Sequence, residues 1–421
     1  MLKRVAVSDL QIGMFVHKME GNWFSHPFWK ARFLIEDHER LVALRSSALD
    51  GVVIDVSKGA DVAAPRKPAQ RETHSDDQGT GEGDARIRKI AERVASQCDP
   101  VTADVEVPAA QAIAARAGKV LQNTFVAMRL GKAINVRAVQ PVVADILDSV
   151  RRNPQAFSGL MRCKLRNELI YQHALAVSAL MVALARQMKL PHAEVMDAGL
   201  AGLLLDIGTS YLPQHLETVG GDYRTLEPHV WQQHVVLGYR ALYNDGTLSD
   251  AVVRACLEHH ERIDGGGFPS GLTGAELSTM GRMAAISDTF DFMLTRSGTT
   301  EALDPARAVQ RMKQMEGAFD PEILRAFIEA VGLFPVGSFV ELRSGKIAMV
   351  IDEDPHHPDK PVVQAFFSTI TGERIKPQRI ELAHAGERET IMGIADLTGY
   401  NLPEPDHLRD LVFLSSYKLA T

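Results

Sequence analysis

Six side chains able to bind a metal fall within one stretch of this 421-residue chain: His173, Asp206, His234, the adjacent His259 and His260, and Asp288. Imidazole and carboxylate donors without a thiolate suit Fe, Mn, Zn or Ni better than Ca or an iron–sulfur cluster. Several histidines with carboxylates able to bridge can hold two ions. Such a pair clamps the attacking and leaving oxygens of a phosphoryl displacement and lowers the pKa of water toward neutrality. The chemistry these residue types support is metal-dependent hydrolysis, with a phosphoester as the substrate class.

Each residue also has a plainer reading. His173, in YQHALAVSALMVALA, fits a hydrogen-bonded core histidine as well as a ligand. Asp206 follows AGLAGLLL, where an ionised carboxylate costs several kcal/mol unless it is paired or bound to a cation. The alternative is a residue at a helix end turned toward solvent. His234, in WQQHVVLGYRAL, shares a helical face with Leu237 and Gly238 and fits a surface histidine too. The most specific string is HHERIDGGGFP. Neighbouring helical residues point about 100° apart, but at a helix end two adjacent rings can converge on a cation. The glycines and Pro269 then force a tight loop beside them, or else mark a surface turn. Asp288 and Asp291 are three apart and share a face. Their neighbours Ala285, Ile286, Phe290, Phe292 and Met293 indicate a half-buried helix rather than a solvated one.

The elements that must position these residues belong to an ordinary globular chain, 45% apolar and 24% charged. That composition excludes a disordered, collagen-like or disulfide-scaffold protein. A net charge of -7 gives no general pull toward nucleic acid or an anionic membrane. Cys98, Cys163 and Cys256 form no CxxC, which points to a reducing compartment. The purest apolar stretch, Ala174–Ala185, is well short of the about 20 residues a membrane span needs. The opening MLKRVAVSDLQIGM lacks the apolar stretch of a signal peptide, so the expected location is cytoplasmic.

Residues 1–57 read as a small β-containing module, with strand-like KRVAVSDL and GVVIDVS. Residues 58–84 carry one large aliphatic residue, Val62, and read as a flexible linker. Residues 85–150 form a helical connector, with helices over Ala85–Gln97, Ala109–Leu130 and Asn135–Arg152, the last with Pro141 in its first turns. Residues 151–332 are long helices, among them Asn167–Lys189, apolar nearly all round and so buried. Residues 333–421 alternate in strand fashion and turn at Ser344-Gly345 and Thr371-Gly372, a β-rich C-terminal module. The expected fold class is mainly α: a helical bundle with a small α/β or β N-terminal module and a β-rich C-terminal one.

YQHALAVSAL, GLLLDIGTSYLP, HVVLGYRAL, HHERIDGGGFPSGL and ISDTFD together resemble, over about residues 151–332, the HD-GYP proteins, a branch of the HD metal-dependent phosphohydrolases. The stretch with DLQIGMFVHKMEGNWFSHPF and VVIDVSKG also resembles the uncharacterised domain that often precedes such modules in bacteria. The resemblance implies an HD-type helical bundle that cleaves cyclic di-GMP to pGpG or GMP with two or three metal ions, commonly iron or manganese. It implies that His173, Asp206 and Asp288 hold the first metal. His234, His259 and His260 with Asp206 hold the second, and Asp206 is the catalytic, bridging carboxylate. Gly267-Phe268-Pro269 stands where the family has Gly-Tyr-Pro and, with Arg296, is the implied substrate-binding set.

Five departures accompany the match. The position before Asp206 is Leu205 rather than histidine, and Thr209 replaces a lysine. Phe268 lacks the tyrosine hydroxyl. Around Thr295-Arg296-Ser297-Gly298-Thr299 only Arg296 remains of a basic string, and Leu169 stands where a third metal would need glutamate. The expectation is therefore one or two divalent ions, Fe or Mn ahead of Zn or Ni. The function expected is a cyclic di-GMP phosphodiesterase of weakened activity. The alternative is a catalytically inactive sensor or adaptor binding cyclic di-GMP or a protein partner such as a diguanylate cyclase. Neither a nucleic-acid partner nor a membrane span is expected, and a homodimer is compatible with the sequence.

Overall fold

The computed structural model describes residues 2–5, 10–11, 14–20, 33–35, 51–56, 58, 100–163, 169–212, 223–297, 300–354 and 356–418. The expected linker beyond Lys58, the helix over Ala85–Gln97, and Cys98 lie outside these residues. The chain divides into two compact units, Met1–Gly83 and Asp84–Thr421.

In the first unit four strands, β1 (Leu2–Val5), β2 (Phe15–Glu20), β3 (Phe33–Leu34) and β4 (Gly51–Asp55), pair antiparallel in the order β1-β4-β2-β3. Val5, Leu10, Met14, Val16, Ile35, Val52 and Ile54 form its own small core. The β-branched runs noted in the sequence account for β1 and β4.

The second unit begins with α1 (Ala103–Arg129) and α2 (Val136–Arg152). Helix α1 starts six residues before the expected Ala109 and carries Pro108 inside it, at the cost of one i→i−4 hydrogen bond. Both helices share one hydrophobic core with everything that follows, through residues such as Leu121, Phe125, Val143 and Ile146. Then come α3 (Ala156–Cys163), α4 (Leu169–Gln187), α5 (His192–Leu204), the short α6 (Pro228–Trp231), α7 (Gln233–Asp245), α8 (Asp250–Glu258), α9 (Thr279–Met293), α10 (Pro305–Gln314) and α11 (Pro321–Val331). Helix α4 is buried continuously from Ala174 to Ala185, as its all-round apolar sequence requires. Side chains at their N-caps start several helices: Ser249 accepts from the N–H of Val252, Ser278 from Gly281, and Asp320 from Glu322 and Ile323.

The chain then forms β5 (Phe339–Leu342), β6 (Lys346–Asp352), β7 (Val362–Ser368), β8 (Glu373–Glu381) and β9 (Ile391–Ile394), an antiparallel sheet ordered β8-β7-β6-β5-β9. Gly345 and Gly372, at φ 74° and 69°, sit in the two hairpin turns read from the sequence. Helix α12 (Pro405–Tyr417) follows the strands and was not anticipated. Sheet and bundle share one core: Phe157, Phe290 and Phe327 belong to it together with Phe339, Phe367 and Phe413.

Candidate metal centre

Four helices and one turn carry the centre. Helix α4 presents His173. Helix α5 ends at Leu204, and the chain then tightens into a 3-10 turn, Ile207–Tyr211, with Asp206 at its start. Helix α7 presents His234 one residue inside its first turn. Helix α8 stops at Glu258, so His259 and His260 leave it in succession. Helix α9 carries Asp288 and Asp291.

Gly208 allows the turn and α7 to meet. A Cβ built there would lie 1.9 Å from the His234 carbonyl oxygen and 2.4 Å from the Gly238 nitrogen. Only glycine fits, and the approach places Asp206 against His234. Asp206 is 2% exposed and His234 fully buried, so neither the solvent-facing helix end nor the surface histidine describes them.

The Asp206 carboxylate divides the centre in two. Its Oδ1 lies 3.2 Å from His234 Nε2 and 3.7 Å from His259 Nε2. Its Oδ2 lies 3.4 Å from His173 Nε2. On the first side His234, His259 and His260 each offer a ring nitrogen, all within 4.8 Å of one another. His234 Nδ1–H donates to the Trp231 carbonyl (2.5 Å), and His259 Nδ1–H donates to the Cys256 carbonyl (2.8 Å). Those bonds fix the tautomers and leave both Nε2 lone pairs facing inward. The buried His260 Nε2 has no hydrogen-bond partner among the described residues. Three convergent imidazoles, one of them with an orphaned buried nitrogen, and a carboxylate are a donor set that fits a divalent transition metal.

On the second side His173 Nε2 is 3.0 Å from Asp288 Oδ1, and its Nδ1 is 2.8 Å from Asp291 Oδ2. Asp288 Oδ2 is also 3.6 Å from His260 Nδ1, which links the two halves. Leu205, 1% exposed and part of the apolar core, brings no donor. Thr209 is buried as well, and its hydroxyl donates to the Asp206 main-chain carbonyl (2.6 Å).

The electrostatics follow. Burial opposes ionisation of Asp206, but His234 beside its Oδ1 and the surrounding imidazoles outweigh it and hold the carboxyl well below its usual range. Burial likewise opposes ionisation of Asp288, and the bond to His173 prevails and lowers its pKa. Burial opposes a charged His173, yet its bonds to Asp288 and Asp291 raise its pKa well above the ordinary value. Burial lowers His259, and lowers His260 further with His259 beside it, so both rings stay neutral and able to ligate.

The loop after His260 folds back on the centre. Gly267 presses against main chain: a Cβ there would stand 2.5 Å from the Arg262 nitrogen, the Glu261 Cα and the His260 oxygen. The Phe268 N–H donates to the His260 carbonyl (3.1 Å). The Phe268 ring stacks on His260 with centroids 4.6 Å apart and planes at 24°. Its lost hydroxyl therefore leaves the ring's packing role intact. Pro269 follows through a cis peptide and is exposed. Buried Glu261 ties the loop down, accepting from the N–H groups of Ser270 (2.6 Å) and Leu272 (3.1 Å). Arg296 stands apart from the histidines in its contacts: its guanidinium pairs with Glu301 and lies 3.9 Å from Glu404.

The six metal-capable residues thus meet in one cluster. Three participants escaped the sequence reading as site residues: Asp291, Trp231 and Glu261. Asp291 had a signal, its shared face with Asp288. Trp231 stacks on His234 (5.7 Å, 19°), three residues away and so one helical turn back.

Residues 2–139 match a domain of unknown function (DUF3391), and residues 160–323 match the HD domain. A cyclic di-GMP phosphodiesterase from Pseudomonas aeruginosa is 36% identical over 409 residues, 97% of this chain and 95% of that protein. A cyclic di-GMP phosphodiesterase from Borreliella burgdorferi is 23% identical over 192 residues, 45% of this chain and 50% of that one. A solved HDG"Y"P protein from Bdellovibrio bacteriovorus aligns with TM-score 0.45 and 17% identity, over 78% of this chain and 99% of that chain. With more than a third of its residues shared along nearly the whole of the Pseudomonas relative, and an HD domain around the histidine cluster, the chain belongs to the HD-GYP family.

Proposed function

We propose that this chain is a metal-dependent phosphodiesterase that hydrolyses cyclic di-GMP to pGpG or GMP. The observation that carries this reading is the convergence of His234, His259 and His260 within 4.8 Å beside the buried Asp206 carboxylate. The full-length relative from Pseudomonas aeruginosa, named for this activity, supports the substrate.

His234, His259, His260 and Asp206 would hold one divalent ion; the nitrogen and oxygen donors suit Fe, Mn, Zn or Ni, and the family resemblance puts Fe or Mn first. A cation held there supplies Lewis acidity toward a phosphoryl oxygen and lowers the pKa of nearby water. The rest falls to the chain. Asp206 ties the two halves together as the catalytic carboxylate. Trp231 and Cys256 carbonyls hold the Nδ1 protons of His234 and His259 away from the donor side. Asp291 holds the Nδ1 proton of His173, which directs Nε2 toward Asp206 and Asp288. Gly267, Phe268 and Pro269 border the substrate, and Arg296 reaches a phosphate only by exchanging Glu301 for it. Asp206, His173 and Asp288 form a weaker second position because Leu205 adds no donor.

A signalling role without cleavage is the second reading. The buried Leu205, and the Thr209 hydroxyl committed to the Asp206 carbonyl, favour it. Under either reading the protein works in the cytoplasm, with 1–57 as an input module, 58–84 as linker, 85–150 as connector, 151–332 as the metal-binding part and 333–421 as the β module. A diguanylate cyclase and a second copy of the chain are the proposed protein partners. Among the described residues no helix is long and apolar enough to cross a membrane.

The deciding experiment supplies Mn or Fe to the purified protein and measures cyclic di-GMP hydrolysis beside binding of the same nucleotide. Cleavage abolished by His260→Ala supports the enzyme. Binding without cleavage selects the nucleotide sensor, and neither cleavage nor binding selects a protein-interaction role.

A further inference from the structure

We propose that Trp231 and Phe268 form the wall on which a purine base of the substrate stacks; this deepens the phosphodiesterase reading and rests on it. Both rings are half-buried, so each keeps an open portion. They stand nearly perpendicular, with centroids 5.4 Å apart and planes at 83°. Both touch His260: Trp231 meets it edge to face at 5.4 Å and 79°, and Phe268 stacks on it at 4.6 Å. The two rings therefore make a corner whose floor is one of the metal-capable imidazoles.

A phosphodiester seated at the histidine cluster has a nucleoside attached to the phosphate, within one sugar of His260. What that base meets on this side is a pair of π faces. Aromatic rings recognise bases by stacking, which is tolerant of base identity but grows with overlap, so a fused purine gains more than a pyrimidine. The corner geometry adds an edge contact to the stacked one. Phe268 is held for this role by Glu261, which anchors the loop at Ser270 and Leu272. Trp231 closes the short α6 and packs into a small apolar cluster with Leu212, Leu226 and Leu237.

The indole can be tested separately from its backbone. The bond that holds His234 comes from the Trp231 carbonyl, which any residue supplies. The chain has three tryptophans, so a Trp23→Phe, Trp29→Phe background leaves Trp231 as the sole indole reporter. Metal-loaded, full-length protein is titrated with cyclic di-GMP and, separately, with inorganic phosphate, which has no base. Cyclic di-GMP quenches the Trp231 emission. Its Kd, read by titration calorimetry because neither variant keeps an indole in that background, rises about tenfold or more in Trp231→Ala and recovers most of that loss in Trp231→Phe, as expected for base–aromatic stacking. Phosphate affinity falls by a clearly smaller factor than cyclic di-GMP affinity, because phosphate carries no base to stack.

Equal weakening of both ligands would overturn the wall, because the indole would then serve only to support His234. Unquenched emission with an unchanged Kd would overturn it too. Binding with this signature in a protein that never cleaves keeps the wall and removes the phosphodiesterase. Cleavage with no loss in Trp231→Ala removes the wall and keeps the enzyme.

Discussion

His173 on α4 and Asp291 on α9 are joined at 2.8 Å, Nδ1 to Oδ2, across 118 residues of sequence. The contact decides what the other edge of the imidazole does. With the Nδ1 proton committed to a carboxylate, Nε2 must face Asp206 and Asp288.

Asp291→Asn should therefore weaken metal binding or turnover about 10–100-fold, the usual cost of removing a carboxylate that orients a ligating histidine. Elemental analysis after dialysis against a chelator series, run beside turnover, measures it. Wild-type behaviour in both would show that His173 needs no such partner.

Leu205→His adds an imidazole at the residue next to Asp206. The expected outcome is metal content moving from a single ion per chain toward a pair, together with faster cyclic di-GMP cleavage. A variant that stays folded, keeps one ion and gains no rate would place the deficit elsewhere, with Thr209 the next candidate.

Gly208→Ala forces a methyl group into the His234 carbonyl, and neither the turn nor α7 can yield without moving a donor. The expected cost is about 1–3 kcal/mol of stability, as for other overpacked sites, together with reduced metal retention. Denaturant melts with and without added Mn measure both. An unchanged midpoint and unchanged metal content would mean that the approach of the turn to α7 is looser than the backbone distances imply.

Glu353 supplies a pH prediction away from the metal centre. Burial, opposed by a hydrogen bond from Gln155 and the charge of Arg162, pushes its carboxyl from 4.5 to about 7, and Oε1 finds no partner among the described residues. A folded-state pKa raised above the unfolded one means that the folded form favours the proton. The stabilisation is fully present below pH 4.5 and is lost as pH rises through about 7. The shift corresponds to at most about 3 kcal/mol. Glu353→Gln should remove that loss, so the difference in stability between variant and wild type grows from pH 5 to pH 8. Parallel stability curves would show that the carboxyl is ionised without penalty.

The metal-capable residues were legible because their chemistry is conspicuous: an aspartate after an unbroken apolar run, and two adjacent histidines before a glycine-rich loop. The apolar α4 and the two hairpins were legible for the same kind of reason, periodicity and turn residues. What escaped the sequence depends on approach between distant segments. Nothing local marks Asp291 as the partner of His173, or Glu261 as the anchor of main chain nine and eleven residues further on. Trp231 gave no sign that its carbonyl and its ring would both serve His234. Nor did the sequence show that α1 and α2, read as a connector, would pack into the same core as the helices carrying the site. Helix α12 escaped because PDHLRDLVFLSSY follows a long β-rich stretch and looks like its continuation.

The shared core has a practical corollary for anyone wishing to isolate the hydrolytic part. Gly159 on α3 sits against Val336 and Phe413, Arg162 donates to the Val336 carbonyl, and Asp304 at the head of α10 accepts from the Phe339 N–H. A fragment ending near residue 332 would lose those seams and bare the aromatic face that Phe339 and Phe413 help to cover. The terminal sheet and helix act as the bundle's missing wall, and the two are best regarded as one folding unit that stands or melts together.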